Sequence, residues 1–444
     1  MNNNSNFYKS VFALVIPMAL QNLVNVGISS TDVIMLGAVG EKVLSGASLG
    51  SQVQFVMSLI LFGITSGASV LVAQYWGKGD IRTIEKVLGI ALKFSLAVGA
   101  VFTIVTVLFP QVIMSILTND SQVIEEGSKY LRIVGLSYII LSINIAYLNI
   151  MRSVERVKIS TIVYLSGLIA NIIINAILIF GKPQMGIRGA AIGTVAAIFI
   201  ELLIVIYYDR KVNDVFKFKI SFLKTEDREL NRDFIRYSGP VIINELMWGL
   251  GCSTVTAILG HMGSSAVAAN SVTQVVRQLA MVMSFGIAGA AAIMLGKTIG
   301  EGNIERAREY GRKFVKMSIV SGLAGSIIVL IARPIAMGAM RLTDTAEGYL
   351  SLMMLVMAYY VIAQTFNTTM IVGVFRAGGD TKIGLIIDVS CMWGISILLG
   401  FIAAFVLKLP VMAVYLILLS DEIFKIPIST WRYRTYKWLN NVTH

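Results

Sequence analysis

The segment PMALQNLVNVGISSTDVIMLGAVG at residues 17–40 recurs, much altered, as PVIINELMWGLGCSTVTAILGHMG at residues 240–263. Pro17 is matched by Pro240, and the Leu-Gly-x-x-Gly motif that begins at Leu36 is matched by the one that begins at Leu259, at an offset of 223 residues. Both copies are mostly apolar. Many membrane carriers are built from two such internal repeats. Transport is therefore the leading hypothesis for this chain.

The repeat continues along the rest of the sequence. The loop Gly77-Lys78-Gly79-Asp80 recurs as Gly300-Glu301-Gly302-Asn303, and one residue further out of step Arg152 recurs as Arg376. The glycine-rich loop is not a phosphate-binding motif, because it joins two hydrophobic helices and lacks the preceding strand and the P-loop spacing. We therefore interpret it as a turn between membrane helices.

The composition is that of a membrane protein. Charged residues make up 14% of the chain and hydrophobic residues 56%, with a mean hydropathy of +0.77. About a quarter of a soluble domain is charged. Segments long enough to cross a hydrocarbon layer recur throughout and predict an all-α polytopic protein with twelve transmembrane helices. They lie near residues 11–37, 43–74, 87–109, 130–151, 159–181, 187–208, 235–260, 267–296, 314–333, 349–375, 383–406 and 409–430.

The net charge of +12 reflects membrane topology rather than a nucleic-acid surface. If the N-terminus is inside, most Lys and Arg residues fall in cytoplasmic segments, as the positive-inside rule requires. We therefore expect a multi-pass protein of the plasma membrane with both termini in the cytoplasm. We expect its partners to be the lipid bilayer and small molecules, with no nucleic acid.

The most polar stretch divides the chain into two lobes. We predict an N-terminal six-helix lobe over 1–208, a cytoplasmic linker over 209–234 and a C-terminal six-helix lobe over 235–444. Six is an even number, so both lobes start inside and have the same orientation. We expect a pseudo-two-fold axis along the membrane normal, with the transport path between the lobes.

Polar side chains recur at helical spacing within four predicted helices. Such groups must face another helix or water, because lipid offers them no hydrogen-bond partner. The stripes favour a polar cavity, although hydrogen bonds that only hold helices together would give the same pattern. The stripes are Asn22, Asn25, Ser29 and Asp32 in helix one, Asn171 and Asn175 in helix five, Asn270, Gln274 and Arg277 in helix eight, and Tyr360, Gln364 and Asn367 in helix ten.

Glu245 lies near the middle of predicted helix seven. A carboxylate at that depth is costly, and a bound cation or a proton relieves the cost. This makes Glu245 a candidate for binding the coupling ion. Arg277 lies at a similar predicted depth, so it could form a fixed ion pair with Glu245 or contact a substrate. Trp248, one turn beyond Glu245, could stack on a flat organic cation or simply pack.

Three further acids lie within predicted helices. Asp32 is either part of an ion site or a solvated acid near the outer end of helix one. Asp388 is either an ion-site residue or a partner of Lys382 or Arg376 near the inner end of helix eleven. Glu201 on helix six is either an ion-site residue or an acid that reaches the membrane surface by snorkelling.

Taken together, the motifs resemble the multidrug and toxic compound extrusion (MATE) exporters over nearly the whole chain. No single motif is specific, but their order in both halves is. The motifs are Pro17 with Asp32, Leu36-Gly37, Ala73-Gln74, Gly77-Lys78-Gly79-Asp80, Asn171-x-x-x-Asn175, Gly186-x-x-Gly189-Ala190-Ala191-x-x-Thr194, Pro240-x-x-x-x-Glu245-x-x-Trp248, Gly300-Glu301-Gly302-Asn303, Arg376-Ala377-Gly378-Gly379-Asp380-Thr381 and Asp388.

The resemblance implies a twelve-helix, two-lobe fold and the export of lipophilic or cationic compounds in exchange for Na⁺ or H⁺. It implies no cofactor besides that coupling ion, and we expect a monomer. By resemblance, Asp32, Asn171, Asn175 and Thr194 form an ion-site cluster in the first lobe, and Glu245 is the acid of helix seven. We add Arg277, Gln274, Trp248 and Asp388 as candidate ion-binding or substrate-binding residues.

The main alternative is a lipid-linked oligosaccharide flippase of the same superfamily. Such proteins typically add helices and several cavity arginines, whereas this chain has one candidate arginine at mid-membrane depth, Arg277. An enzyme is not expected, because no His pair, His-Glu-x-x-His run or Gly-x-Ser-x-Gly elbow falls at membrane depth.

The predicted orientation can be tested by cysteine labelling. A cysteine at position 224, in the predicted linker, should be protected from a membrane-impermeant thiol reagent in intact cells and should react after the cells are opened. A cysteine at position 119, in the predicted outer loop after helix three, should react in intact cells. Efficient labelling of position 224 in intact cells would overturn the orientation.

Overall fold

The computed structural model describes residues 2–181, 184–224, 227–339 and 343–444, and no strand occurs among them. The all-α prediction is confirmed. We number the long helices as follows: α1 Asn2–Gly37, α2 Glu41–Lys78, α3 Ile81–Leu108, α4 Ser121–Ser153, α5 Val157–Phe180, α6 Ile187–Val212, α7 Arg228–Met262, α8 Ser264–Gly300, α9 Ile304–Ala339, α10 Asp344–Phe375, α11 Thr381–Val406 and α12, which has two parts, Val411–Leu418 and Asp421–Arg434.

Within the described residues, α1 to α11 are long and apolar enough to cross a membrane by length and composition. The predicted twelfth helix, 409–430, is interrupted at Leu419 and Ser420, between the two parts of α12. The other helices extend past their predicted apolar segments because polar turns continue the helical hydrogen bonding. A short helix, Pro110–Leu117, lies between α3 and α4.

The chain forms two compact units. The N-unit comprises Leu20–Val72 and Gly79–Ile242, and the C-unit comprises Met1–Ala19, Ala73–Lys78 and Ile243–His444. Each unit thus combines segments that are separated in the sequence. The lobe boundaries that we inferred from the sequence remain a prediction. Each unit has its own apolar core. The N-unit core includes Leu61, Tyr138 and Ala191, and the C-unit core includes Met281, Met357 and Val414.

Glycines allow close helix contacts inside both units. In the N-unit, a Cβ added to Gly67 on α2 would lie 2.4 Å from the Cα of Ser238 on α7. In the C-unit, a Cβ added to Gly286 on α8 would lie 3.0 Å from the carbonyl oxygen of Val15 on α1. Small residues at such contacts let helix backbones approach in the membrane, where packing replaces the hydrophobic effect.

The repeated glycine loops are helix-to-helix turns, as expected from their sequence. Gly79 and Gly302 have φ values of 81° and 76°, which are left-handed conformations that glycine adopts without strain. The next residue then caps the following helix. Asp80 Oδ1 accepts a hydrogen bond at 3.1 Å from the backbone N–H of Thr83, and Asn303 Oδ1 does the same at 3.0 Å from that of Arg306.

The predicted linker packs against the N-unit. Asp209 is buried and accepts hydrogen bonds from the Tyr147 hydroxyl, at 3.0 Å, and from the backbone N–H of Phe218. Asp227 precedes α7, and the backbone N–H of Leu230 together with the ammonium of Lys86 holds the pKa of its carboxyl below the usual range. These contacts tie the segment between α6 and α7 to the N-unit.

The contact between Gly67 and Ser238 predicts a large effect from a small substitution. Gly67→Ala places a methyl group against the α7 backbone, and overpacking of this kind costs about 1–3 kcal/mol. We therefore expect a lower thermal unfolding midpoint for the purified protein in detergent.

Gly239→Ala is the matched control, since a Cβ added there meets nothing within 4 Å. Replacing a helical glycine by alanine in open space favours the folded state by roughly 0.5–1 kcal/mol. Equal unfolding midpoints for the two variants would contradict the packing that we describe.

Candidate functional site

The N-unit brings together four of the predicted site residues. Asp32 lies on α1, Asn171 and Asn175 on α5, and Thr194 on α6. Asn175 Nδ2 donates to Asp32 Oδ1 at 2.9 Å and to Asn171 Oδ1 at 3.2 Å, and Asn171 Nδ2 donates to Thr194 Oγ1 at 3.5 Å. We call these four residues the Asp32 cluster. The stripe positions on helices one and five thus meet; the side chain of Ser29 lies outside the described part of the chain.

Two local features shape the Asp32 cluster. The regular α-helix of α5 ends at Asn175 and continues as a π-helical turn over Ala176–Phe180, a distortion that is frequent at functional sites. Gly193 on α6 leaves room for the Asn175 amide, because a Cβ added to Gly193 would lie 2.0 Å from Asn175 Oδ1. That oxygen is buried and has no hydrogen-bond partner within the described chain.

The Asp32 cluster offers one carboxylate and several neutral oxygens. Oxygen ligands of this kind suit hard cations, and the carboxylate alone suits a proton. No three His, Cys, Asp or Glu side chains are grouped as a metal site in the ranges that the structure describes. The chemistry of these groups allows Asp32 to hold a proton, or to hold a cation together with the amide and hydroxyl oxygens around it.

In the C-unit, Glu245 forms an ion pair with Arg376. Arg376 Nη2 lies 2.7 Å from Glu245 Oε1, and both side chains are largely buried. The suggested pairing of Glu245 with Arg277 is therefore corrected. The position of an arginine in the sequence indicates its depth in the membrane. It does not indicate whether its side chain faces α7.

Arg277 is held by amides instead. Its Nε donates to Gln274 Oε1 at 2.6 Å, and its Nη1 donates to Gln364 Oε1 at 3.2 Å. Gln274 Nε2 in turn donates to Asn270 Oδ1 at 3.3 Å. The polar stripes of helices eight and ten therefore meet in one network. The guanidinium of Arg277 has further N–H donors, which suit a polar or acidic group of a substrate.

Asp388 belongs to a second charged group, which the sequence analysis missed. Its partner is Lys425 on α12, at 3.1 Å, rather than Lys382 or Arg376. Lys425 also contacts Asp421 at 2.9 Å and Glu422 at 3.0 Å. We call these four residues the Lys425 cluster. The spacing of Asp421, Glu422 and Lys425 along α12 could have indicated this group from the sequence, because residues three and four apart share a helix face.

Two amides extend the Lys425 cluster. Asn244 Nδ2 donates to Asp388 Oδ2 at 2.9 Å, and Asn367 Nδ2 donates to Glu422 Oε2 at 2.8 Å. Because Asn244 precedes Glu245 on α7, the cluster lies beside the Glu245–Arg376 pair. The C-unit thus holds two adjoining charged groups inside its helices.

Two remaining candidates stand apart from these groups. Trp248 is half-buried on α7, one turn beyond Glu245. Glu201 on α6 does not snorkel, since it is 5% exposed and accepts a hydrogen bond at 3.5 Å from Asn144 Nδ2. The snorkelling alternative for Glu201 was wrong because the absence of a side chain at Gly167 leaves a space into which the carboxylate fits: a Cβ there would lie 2.1 Å from Glu201 Oε1.

Known proteins resemble the chain over nearly its full length. The MatE family profile matches residues 17–177 and 240–423. The probable multidrug resistance protein YoeA of Bacillus subtilis is 23% identical over 419 residues, which is 92% of this chain and 89% of YoeA. The probable multidrug resistance protein NorM of Thermotoga maritima is 24% identical over 438 residues, which is 97% of this chain and 93% of NorM.

The fold is also that of a solved transporter. A MOP superfamily transporter from Pyrococcus furiosus matches with a TM-score of 0.88 at 18% identity, over 96% of this chain and 95% of that protein. The family match covers both copies of the internal repeat and more than half of the sequence. The chain is therefore a multi-pass membrane protein that belongs to the MatE family of transporters.

Proposed function

We propose that the protein is a secondary active exporter that exchanges lipophilic or cationic organic compounds for Na⁺ or H⁺ by alternating access. The observation that carries the proposal is the presence of partly buried ionisable groups within membrane helices of both units, at Asp32 and at Glu245. Such residues are costly and generally mark ion or substrate pathways. The multidrug resistance names of YoeA and NorM support the choice of substrate class.

The charge of the site residues supports exchange. A cationic substrate and a coupling cation would compete for the same carboxylate, because each relieves the cost of the same buried negative charge. Release of one then accompanies binding of the other. In this proposal Asp32 and Glu245 bind the exchanged cations, while Trp248 offers an aromatic face and Gln274 and Arg277 offer hydrogen bonds.

The ion pair with Arg376 limits when Glu245 can bind an exchanged cation. Arg376 already compensates Glu245 at 2.7 Å, so a cation can bind Glu245 only if the pair loosens or if another acid joins. Asp388 is the acid that acts electrostatically on Glu245. We therefore place the C-unit exchange on Glu245 and Asp388 together. Because each unit carries its own charged group, we expect one copy of the chain to suffice.

Transport into inverted membrane vesicles tests this function. Vesicles that contain the protein should accumulate a fluorescent organic cation when the vesicle interior is made more acidic, or richer in Na⁺, than the medium outside. Vesicles without the protein supply the control. Accumulation that ignores both gradients, or movement of a lipid-linked sugar without dye transport, would contradict the proposal.

Asp32 is expected to be required for ion-driven export. Asp32→Asn removes the charge but keeps the size and a hydrogen-bond acceptor for Asn175. We expect the rate of ion-driven dye export to fall by about fivefold or more, since a fivefold change in affinity is the lower end of typical coupling between two sites. Membrane abundance should stay near wild type. Glu41→Gln, at an exposed acid at the start of α2, is the control and should export normally. Unchanged export by Asp32→Asn would remove Asp32 from the ion site.

Glu245 and Arg376 are best tested together. Glu245→Gln alone removes the carboxylate that pairs with a buried arginine, and breaking a buried pair costs about 3–5 kcal/mol. We expect lower abundance and a lower thermal unfolding midpoint. The double variant Glu245→Gln/Arg376→Gln removes both charges, so it should recover stability without recovering ion-driven export.

The matched control pairs Glu245→Gln with Arg277→Gln, which should give no recovery of stability because Arg277 binds amides. A double variant at Glu245 and Arg376 that exports dye at the wild-type rate, with its ion dependence intact, would exclude Glu245 from the exchange.

A further inference from the structure

The Lys425 cluster occupies a place where the first copy of the repeat is almost uncharged. At the offset of 224 residues, Asp421 and Glu422 correspond to Ala197 and Ile198. Lys425 corresponds at the same offset to Glu201. At these three positions the second copy thus has two acids and a base where the first has a single acid.

A hydrogen bond from an asparagine side chain to a backbone carbonyl oxygen supports this correspondence in three dimensions. In the N-unit, Asn144 Nδ2 donates to the carbonyl oxygen of Ile198 at 3.1 Å. In the C-unit, Asn367 Nδ2 donates to the carbonyl oxygen of Glu422 at 2.6 Å. The two copies therefore keep the same helix packing here. The first copy keeps this contact with uncharged residues, Ala197 and Ile198, at the positions of Asp421 and Glu422.

The charges of the Lys425 cluster do not balance. Lys425, Asp421 and Glu422 are 3%, 4% and 6% exposed, and the ammonium uses its three N–H donors on three carboxylates. If every group were ionised, the cluster would hold two more negative charges than positive ones. Arg376 does not offset this excess because it pairs with Glu245. Each uncompensated buried ion costs several kcal/mol.

Two buried acceptors next to the cluster lack donors. Asn244 and Asn367 each donate from the amide nitrogen to a cluster carboxylate, and the oxygen of each amide is buried with no hydrogen-bond partner in the described chain. An unsatisfied buried acceptor costs about 1–3 kcal/mol. A proton on a cluster carboxyl removes negative charge and supplies a donor at the same place. Protonation of the cluster thus reduces the excess negative charge and provides a donor for a buried amide oxygen.

We propose that the Lys425 cluster is a proton-binding site that takes up and releases protons on Asp388, Asp421 and Glu422 during export. The proposal rests on the proposed function and names H⁺ as the coupling ion of the C-unit. A metal ion fits poorly, because Lys425 already occupies the position between the three carboxylates. In each step a carboxylate gains a proton from water on one side, and the acid later returns it to water on the other.

Asp388 is the member through which protons enter. Its side chain is 22% exposed, against 6% and 8% for Asp421 and Glu422. It also lies on the side of the cluster that faces Glu245. The titratable groups around the cluster are Tyr360 on α10, Cys252 and Glu245 on α7, and Cys391 on α11. Two arginines act on these neighbours: Arg277 on Cys252 and Tyr360, and Arg376 on Glu245.

Infrared spectroscopy of the purified protein tests proton binding without a substrate. The C=O stretch of protonated carboxyl groups is recorded over a pH series for the wild type and for Asp421→Asn/Glu422→Gln. Other buried carboxyls, such as Glu201, are present in both proteins, so the band lost in the double variant measures Asp421 and Glu422. We expect a carboxyl band at neutral pH that is reduced in the double variant. Glu301→Gln, in an exposed turn, should leave the band unchanged.

A transport arm links the protons to export. In vesicles with an imposed pH gradient, the double variant should lose proton-driven dye export, whereas Glu301→Gln should keep it. If the double variant does not fold, Asp421→Asn alone is measured in the same way. Equal carboxyl bands in wild type and variant, or a folded variant with full proton-driven export, would overturn the proposal. Failure of the wild type to move dye would refute the exporter function but leave the infrared result standing.

Discussion

The cost of burying charge is the constraint on which both units depend. An ion moved from water into a helix bundle loses several kcal/mol of hydration unless an opposite charge, a set of hydrogen bonds or a proton replaces it. Every embedded acid that we describe shows one of these solutions. Asp32 receives an amide donor, Glu245 an arginine, and Asp388 an amide and a lysine. Compensation by a mobile ion is what makes such a group useful to a transporter.

The two copies of the repeat share packing and differ in charge. Both keep glycines at close helix contacts and a left-handed glycine before a capping Asp or Asn. The Asp32 cluster, however, has no polar counterpart in the second copy: at the corresponding offsets Asp32 and Thr194 are matched by Val255 and Leu418. The Lys425 cluster in turn has only Glu201 as a charged counterpart. Each unit thus carries one main polar group, at a different place in the shared architecture.

Helical periodicity and the repeat predicted the transmembrane helices and placed Asn171 and Asn175 one turn apart on one helix face. The grouping of these two residues with Asp32 and Thr194 came from the family resemblance. The partners of Glu245 and Asp388 could not be predicted, because sequence gives depth along a helix but not which neighbouring helix that face meets. Asp421, Glu422 and Lys425 were missed although their spacing was visible. They follow the interruption at Leu419 and Ser420, which places them at the start of a new helix segment within the unit.

Our central claim is that buried negative charge couples the movement of an inorganic cation to that of an organic one. Parallel recording of dye and ion movement in the same proteoliposomes tests it most directly, with a pH indicator or a Na⁺ indicator trapped inside. We expect dye that moves in one direction to drive H⁺ or Na⁺ in the other, in a fixed ratio and without any imposed ion gradient. Dye movement with no opposing movement of either ion would show that the buried carboxylates do not couple the two.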